Sequence, residues 1–315
     1  MAAPSVAHDN TMVTARQHPL PTAWRMSPAP ELTQFVHPAE REVAGILTFH
    51  GVRWVYEPTT FVLERREDGT PTICFNPDFY LPDHNRYLEL TTMRQAHVTR
   101  KNRKLRLLRE QFPSVDAHLL YRRDFDRLAE RFQLRTWPGA TASGATRFTA
   151  DEIGERVREI AAACTGRDAP EVVVALGPGA MRIAAEVVAE LRELGVHPAV
   201  GEISLAGKDV ASTAKRLRVH RGPRVPVDRR RVLLVTDIVS TGLTADFAVR
   251  WLRGRGAGRV EVVTLIDRAA ARIVRLPIRG SAFTLDDAIV AGHGISVGGR
   301  LAERPDIVEV RRTDA

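Results

Sequence analysis

From Ala150 to Ile266 the apolar residues follow two rhythms that alternate. Four runs are almost continuously apolar: Val172 to Leu176, Ala199 to Leu205, Val232 to Val235 and Val260 to Ile266. Between them lie segments with apolar residues at helical spacing, from Ala150 to Ala163, Ala180 to Leu194 and Thr244 to Arg253. Continuous apolar strands separated by helices predict a parallel sheet covered on both faces. Ligands of such sheets bind beyond the carboxyl ends of the strands, so the turns after Leu176 and Val235 are the places to look for chemistry. The stretch from Ala206 to Arg224 is basic and lacks either rhythm, which predicts an irregular segment.

Ahead of this module the pattern changes. Val43, Ile46 and Leu47 predict a helix from about Pro38 to Phe49, and shorter alternating runs predict strands at Trp54–Tyr56, Thr60–Glu64, Thr72–Phe75 and Tyr87–Leu90. Asp68-Gly69 supplies a hairpin turn. A basic helix from about Thr99 to Gln111, a strand at Ala117–Tyr121 and a short last helix complete a small mixed α/β module. Residues 1–33 lack apolar periodicity and are rich in Pro, Ala and Ser, which predicts a disordered leader. Residues 136–146, with the run W-P-G-A-T-A-S-G-A-T, predict a linker. The expected division is therefore a leader, a module over 34–135, a linker, and a module over 147–315.

Composition changes the picture little. The 315 residues, 44% hydrophobic and 27% charged, are those of a globular chain of two domains. No window approaches 18 uncharged apolar residues, which predicts a cytosolic, non-membrane protein. Cys74 and Cys164, the two cysteines, fit no disulfide or metal framework. A formal net charge of +8 favours polyanionic partners, and a phosphorylated small molecule satisfies that as well as a nucleic acid does.

After Val235 comes Thr236-Asp237-Ile238-Val239, then Ser240-Thr241-Gly242-Leu243-Thr244 at the start of a predicted helix. Small residues and hydroxyls at a helix N-terminus let backbone N–H groups surround a phosphate, and the helix dipole favours the anion. Asp237, just before the turn, is placed to accept hydrogen bonds from ribose hydroxyls. This run resembles the phosphoribosyl diphosphate signature of type I phosphoribosyltransferases, and its surroundings resemble their hypoxanthine-guanine branch. F-T-A-D-E-I-G-E-R-V-R-E-I looks like that branch's first helix, and V-V-V-A-L-G-P-G-A-M like its diphosphate-binding turn. V-V-T-L-I-D-R looks like its purine-side strand, and A-I-V-A-G-H-G-I-S through R-P-D-I-V-E-V like its closing segment.

The resemblance implies transfer of a phosphoribosyl group from phosphoribosyl diphosphate to a purine base, with Mg²⁺ as cofactor, in a homo-oligomer; the alternative is a nucleic-acid-binding or nuclease-like protein whose second module senses a nucleotide without turnover. Asp237 and Ser240 would be the catalytic residues, with Asp237 meeting the metal through the substrate. Ser240, Thr241, Gly242, Leu243 and Thr244 would hold the 5′-phosphate, and Leu176, Gly177 and Gly179 the diphosphate. Arg268, Ile289 and Val290 would face the base, while the stretch from Ala206 to Arg224 would be a mobile lid. The chain departs from the family pattern at Thr236 and Ser240, where acids are usual. It departs also at Ile289, where an aromatic stacks on the purine, and at Ser296 and Ala302.

In the first module C-F-N-P-D-F-Y-L-P and the strand Y-L-E-L-T place Asp78 and Glu89 on adjacent strand ends. With Glu40 on the first helix, they resemble the PD-(D/E)XK nuclease fold, a restriction-endonuclease-like architecture. That likeness implies a metal held by Asp78 and Glu89, and a possible nucleic-acid partner. Thr91 stands where that family has its lysine, and Lys101 or Lys104 on the next helix could reach the same spot. The segment from Arg94 to Arg109 has seven basic residues and no acid; it predicts a phosphate-tracking helix or a solvated face over Leu105 and Leu108 in equal measure. His84, His97 and His293 form no metal-ligand spacing and are expected as surface or loop histidines.

Overall fold

The computed structural model describes residues 30, 33–91, 95–121, 140–206, 216–286 and 288–312. The chain divides into two compact units, Met1–Phe125 and Asp126–Ala315. The leader, apart from residues 30 and 33, lies outside the described residues. So do the short helix expected after Tyr121 and residues 207–215 of the expected lid.

In the first unit, helix α1 (Pro38–Phe49) starts where Pro38 supplies a preset φ and His37 caps the end; the Glu40 side chain reaches back to the cap's N–H. Strands β1 (Val55–Tyr56), β4 (Phe79–Leu81), β5 (Arg86–Thr91) and β6 (Ala117–Tyr121) form a sheet in that order, while β2 (Phe61–Arg65) and β3 (Pro71–Phe75) pair as a separate hairpin. β5 and β6 are parallel, joined by helix α2 (Gln95–Gln111). Leu105 and Leu108 of α2 are buried against Phe61, Leu63, Phe75 and Leu119, so the apolar stripe of this basic helix fixes which side faces outward.

The second unit holds a six-stranded sheet: β8 (Val172–Leu176), β9 (Ala199–Ala206), β10 (Arg218–Arg221), β11 (Arg231–Val239), β12 (Arg259–Asp267) and β13 (Ile278–Thr284), in the order β10-β9-β8-β11-β12-β13. All neighbours run parallel except β10 on β9. Helices α3 (Ala150–Ala163) and α4 (Met181–Glu193) cover one face; α5 (Leu243–Gly254) covers the other. The alternation within each strand shows why its sequence is apolar throughout. Val173, Ala175, Leu233 and Val235 pack under α3 and α4, while Val172, Val174, Val232 and Leu234 pack under α5. The fold class is the expected one: a parallel-sheet α/β unit preceded by a small unit with a mixed sheet.

Two sequence expectations need correction. Residues 140–146, expected within a linker, belong to β7 (Ala140–Phe148), which pairs antiparallel with β15 (Ile307–Arg312) beside β14 (Val290–Ala291). Backbone pairing needs no apolar side chain, so a run of Ala, Thr, Ser and Gly at an edge carries a strand without its usual pattern. The irregular stretch from Ala206 to Arg224 likewise contains β10, whose polar R-V-H-R hides a hairpin partner for β9.

Candidate active site

The strand order reverses between β8 and β11. From β8 the chain passes to β9 on one side, then returns to β11 on the other, and such a switch point opens a crevice at the carboxyl ends of both strands. Both expected phosphate segments leave the sheet there. After Leu176 the backbone turns at Gly177, with φ 74°, into a short 3-10 turn over Pro178–Ala180. After Val239 it turns through Ser240 and Thr241 to Gly242, with φ 84°, which caps α5.

The two turns meet at Asp237. A Cβ added to Gly179 would overlap the Asp237 carboxylate, so the diphosphate-side backbone lies bare against that group. Asp237 is itself oriented: Ile238 N–H donates to its Oδ1 at 2.7 Å and the Thr236 hydroxyl at 3.2 Å. Thr264 Oγ1 donates to the Asp237 carbonyl at 3.2 Å from the neighbouring strand. Thr236 thus helps to orient the Asp237 carboxylate.

The phosphate turn is braced from behind. Thr241 is buried, and its carbonyl accepts from Ile273 N–H at 3.0 Å and from Val274 N–H at 3.4 Å. A Cβ on Gly242 would stand 2.9 Å from both Arg272 Cδ and Val274 Cγ2, so both φ and space call for glycine. The Arg272 guanidinium is paired with Asp267, and its Nε donates to the Ser240 carbonyl at 3.4 Å. Leu243 and Thr244 open α5, whose first-turn N–H groups point toward the crevice end of the sheet.

Where the base is expected, Arg268 N–H donates to the Val239 carbonyl at 2.8 Å, and its buried guanidinium donates to the Ala288 carbonyl at 2.6 Å. This brings Arg268 beside Ile289 and Val290, where β14 begins. The structure therefore gathers Leu176, Gly177, Gly179, Asp237, Ser240, Thr241, Gly242, Leu243 and Thr244 at one sheet end, with Arg268 following from the adjoining strand β12 and bonded to the residue before Ile289 and Val290, where β14 of the three-stranded sheet opens.

Arg272, Asp267, Arg182 and Glu186 were not among the residues expected from the sequence. Of the histidines expected at the surface or in loops, His293 lies in a turn but, like His84, is buried. His293 is 2% exposed, with Nε2 2.8 Å from Glu186 Oε2 and Nδ1 3.1 Å from the Pro305 carbonyl. An exposed position is usual for histidine, but partners 107 and 12 residues away make burial affordable, and no local signal reports them.

In the first unit, Asp78 and Glu89 do lie together. Asp78 Oδ2 accepts from Leu90 N–H at 2.6 Å, and Lys101 Nζ stands 2.7 Å from Glu89 Oε1 while also donating to the Leu90 carbonyl. Burial, then the neighbouring Glu89 charge, pushes the Asp78 carboxyl up to about 7. Burial raises Glu89 as well, against the pull of Lys101. Glu89 Oε2 and Thr91 Oγ1 are buried without a hydrogen-bond partner of ordinary geometry. Glu40 is engaged elsewhere, accepting from Tyr56 Oη at 2.6 Å and from the N–H groups of Val36 and His37. Lys101, rather than Lys104, is the lysine that pairs with Glu89. Among the described residues no group of three or more His, Cys, Asp or Glu side chains is placed to hold a metal ion.

Residues 148–297 match the family model of the phosphoribosyl transferase domain. Among curated proteins, hypoxanthine-guanine phosphoribosyltransferase of Bacillus subtilis (strain 168) is 25% identical over 159 residues, covering 50% of this chain and 87% of that protein. The enzyme of the same name from Crithidia fasciculata is 28% identical over 106 residues, covering 34% of this chain and 50% of that one. Among solved structures, a hypoxanthine phosphoribosyl transferase of Trypanosoma cruzi aligns at 23% identity with a TM-score of 0.48, covering 56% of this chain and 94% of that one. No helix among the described residues is long and apolar enough to cross a membrane.

Proposed function

We propose that the second unit transfers a 5-phosphoribosyl group from phosphoribosyl diphosphate to a purine base. The observation that carries this reading is the apposition, at the switch point, of a bare glycine turn, an oriented aspartate and a braced helix N-terminus. Thr241, Gly242, Leu243 and Thr244 hold the 5′-phosphate, Asp237 accepts from the ribose hydroxyls, and Gly177 and Gly179 lie against the diphosphate. In the reaction the bond from C1 to the diphosphate oxygen breaks, a bond from a base nitrogen to C1 forms, and the base gives up its proton. The protein's share is to fix reactants in line and to stabilise charge with preorganised N–H groups.

A magnesium ion would neutralise the departing diphosphate. The residues present suit one held mainly by substrate oxygens, because the Asp237 carboxylate lies against the Gly179 turn and, among the described residues, no group of three or more His, Cys, Asp or Glu side chains is placed to hold a metal. Ser240 brings a hydroxyl where a carboxylate would take the base's proton, so proton transfer is the weak step of this site. A coupled assay for diphosphate release across a panel of nucleobases tests the reading. Turnover with a purine, abolished in Asp237→Asn, is expected; release that is independent of any base, or unaffected by that change, would contradict it.

A second role for the first unit is favoured by one observation, the meeting of Asp78, Glu89 and Lys101 beside a basic helix. The cluster resembles a PD-(D/E)XK site in which Lys101 stands in for the lysine absent at Thr91. As it stands, the Lys101 ammonium occupies the cation's side of Glu89 and of the Leu90 carbonyl, so a metal would have to displace it. We infer nucleic-acid binding with slow or no cleavage. Retention of DNA or RNA that weakens with salt and with charge reversal at Arg103 and Lys104 is expected in filter binding; no retention at about 50 mM salt would reject the role.

A further inference from the structure

The closing segment does more than follow the site in sequence. Gly292, His293 and Gly294 have φ of 111°, 51° and 93°, three consecutive residues in a region that side chains other than glycine rarely enter. Something must hold the middle one there. His293 N–H donates to the Arg304 carbonyl at 2.8 Å and Gly294 N–H to the Ala302 carbonyl at 2.9 Å, so the turn is closed on the loop that leads into β15. It is also tied to α4. The imidazole lies between Glu186 Oε2, at 2.8 Å, and the Pro305 carbonyl, at 3.1 Å. With oxygen acceptors at both ring nitrogens, both contacts are hydrogen bonds when the ring carries two protons.

Glu186 is held in turn by Arg182, whose Nε lies 3.3 Å from Oε1, and Arg182 Nη1 donates to the Arg304 carbonyl at 3.2 Å. Burial raises the Glu186 carboxyl, but the His293 hydrogen bond and charge outweigh it, with Arg182 adding to them, so the group lies below its usual range. The segment pinned by this network presses on the diphosphate turn itself. A Cβ on Gly294 would stand 2.6 Å from the Gly179 carbonyl, and Gly179 is the residue whose other side faces Asp237. Arg182 sits three positions beyond Gly179, on the first turn of α4.

From this we infer that Glu186 and His293 are positioning residues for diphosphate recognition: their pair locks the Gly292–Gly294 turn behind Gly179 and so sets the shape of the diphosphate turn. Neither touches substrate. They act through Gly294 and Gly179, and the inference rests on the phosphoribosyl reading of the site.

Two ligands separate this role from general stability. Phosphoribosyl diphosphate uses both turns, whereas a purine nucleoside 5′-monophosphate uses the turn at Ser240–Thr244 and not the diphosphate turn. Calorimetric titration of the full chain with each is the test. Glu186→Gln and His293→Phe are expected to weaken phosphoribosyl diphosphate binding about tenfold, the size of one lost charge-assisted hydrogen bond, with the monophosphate held within about twofold. The double variant is expected to lose no more than the worse single one, because either change breaks the same link. The Glu186 side chain is 35% exposed, so Glu186→Gln keeps the test decisive if His293→Phe does not fold. Equal weakening for both ligands, or none for either, would overturn the inference while leaving the phosphoribosyl reading intact. A parent chain that binds neither ligand would overturn both.

Discussion

The phosphate turn of the second unit and the carboxylate cluster of the first are made from different parts of the chain. The turn is built of backbone: N–H groups of a helix start, glycines with no room for a Cβ, and carbonyls braced by Ile273, Val274 and Arg272. The cluster is built of side chains, a buried and a half-buried carboxyl and an ammonium brought together from β5, the residue before β4 and α2. A backbone site is fixed once the fold is fixed, and its ligand follows from its shape and dipole. A side-chain cluster can be satisfied by a proton, a lysine or a metal, and here Lys101 and a raised Asp78 already satisfy most of it.

If that contrast holds, the largest single effect lies in the cluster. Lys101→Met leaves Glu89 buried beside Asp78 with no counter-charge, and should destabilise the first unit by about 3 kcal/mol in urea unfolding. Substitutions in the turn should act on ligand rather than on stability. Gly179→Val drives a side chain into the Asp237 carboxylate, and should weaken phosphoribosyl diphosphate binding about a hundredfold, roughly 2.7 kcal/mol, with little change in unfolding. A Lys101→Met protein of unchanged stability, or a Gly179→Val protein that unfolds as it loses ligand, would break the distinction.

A smaller effect follows from protons. Because Asp78 is raised in the folded state to about 7, the folded chain holds a proton that the unfolded chain has released. Its contribution is fully present below the unfolded carboxyl value, about 3.9, and is lost as pH rises through about 7. The first unit should therefore lose stability between pH 4 and 7 more steeply than Asp78→Asn does, in urea titrations at each pH. The smallest expected effect concerns the base. Ile289→Phe adds a ring where the chain has a branched aliphatic, and should tighten purine binding by about 0.5–1.5 kcal/mol, measured as the KM for the base.

The same contrast governs what could be read from residue order. Strands β8 and β6 and helix α3 have the bounds expected from sequence, because unbroken apolar runs and a Thr149–Glu152 capping box mark them locally. The turn from Ser240 to Gly242 was legible for the same reason, as consecutive small and hydroxyl residues before a helix. Strands β7, β13, β14 and β15 were not recognised. β7 and β13 are rich in Gly, Ala, Ser and Thr, β14 has two residues, and the apolar residues of β15 are flanked by Pro, Asp and Arg. Side-chain links were least legible. Arg272 to Ser240 spans 32 residues and His293 to Glu186 spans 107, distances over which composition and periodicity carry no information. That Asp78 and Glu89 are neighbours followed from strand pairing; that Lys101 reaches Glu89 depended on the helix phase of α2.

The central claim is that the second unit recognises phosphoribosyl diphosphate through Asp237 and the turn from Ser240 to Thr244. Calorimetric titration of that ligand into the parent chain, Asp237→Asn and Thr241→Ala tests it most directly. Saturable binding by the parent, weakened by about 1.5–3 kcal/mol in each variant as charge-assisted hydrogen bonds are lost, is the predicted result. Equal affinity in all three proteins, or no binding by the parent, would contradict it.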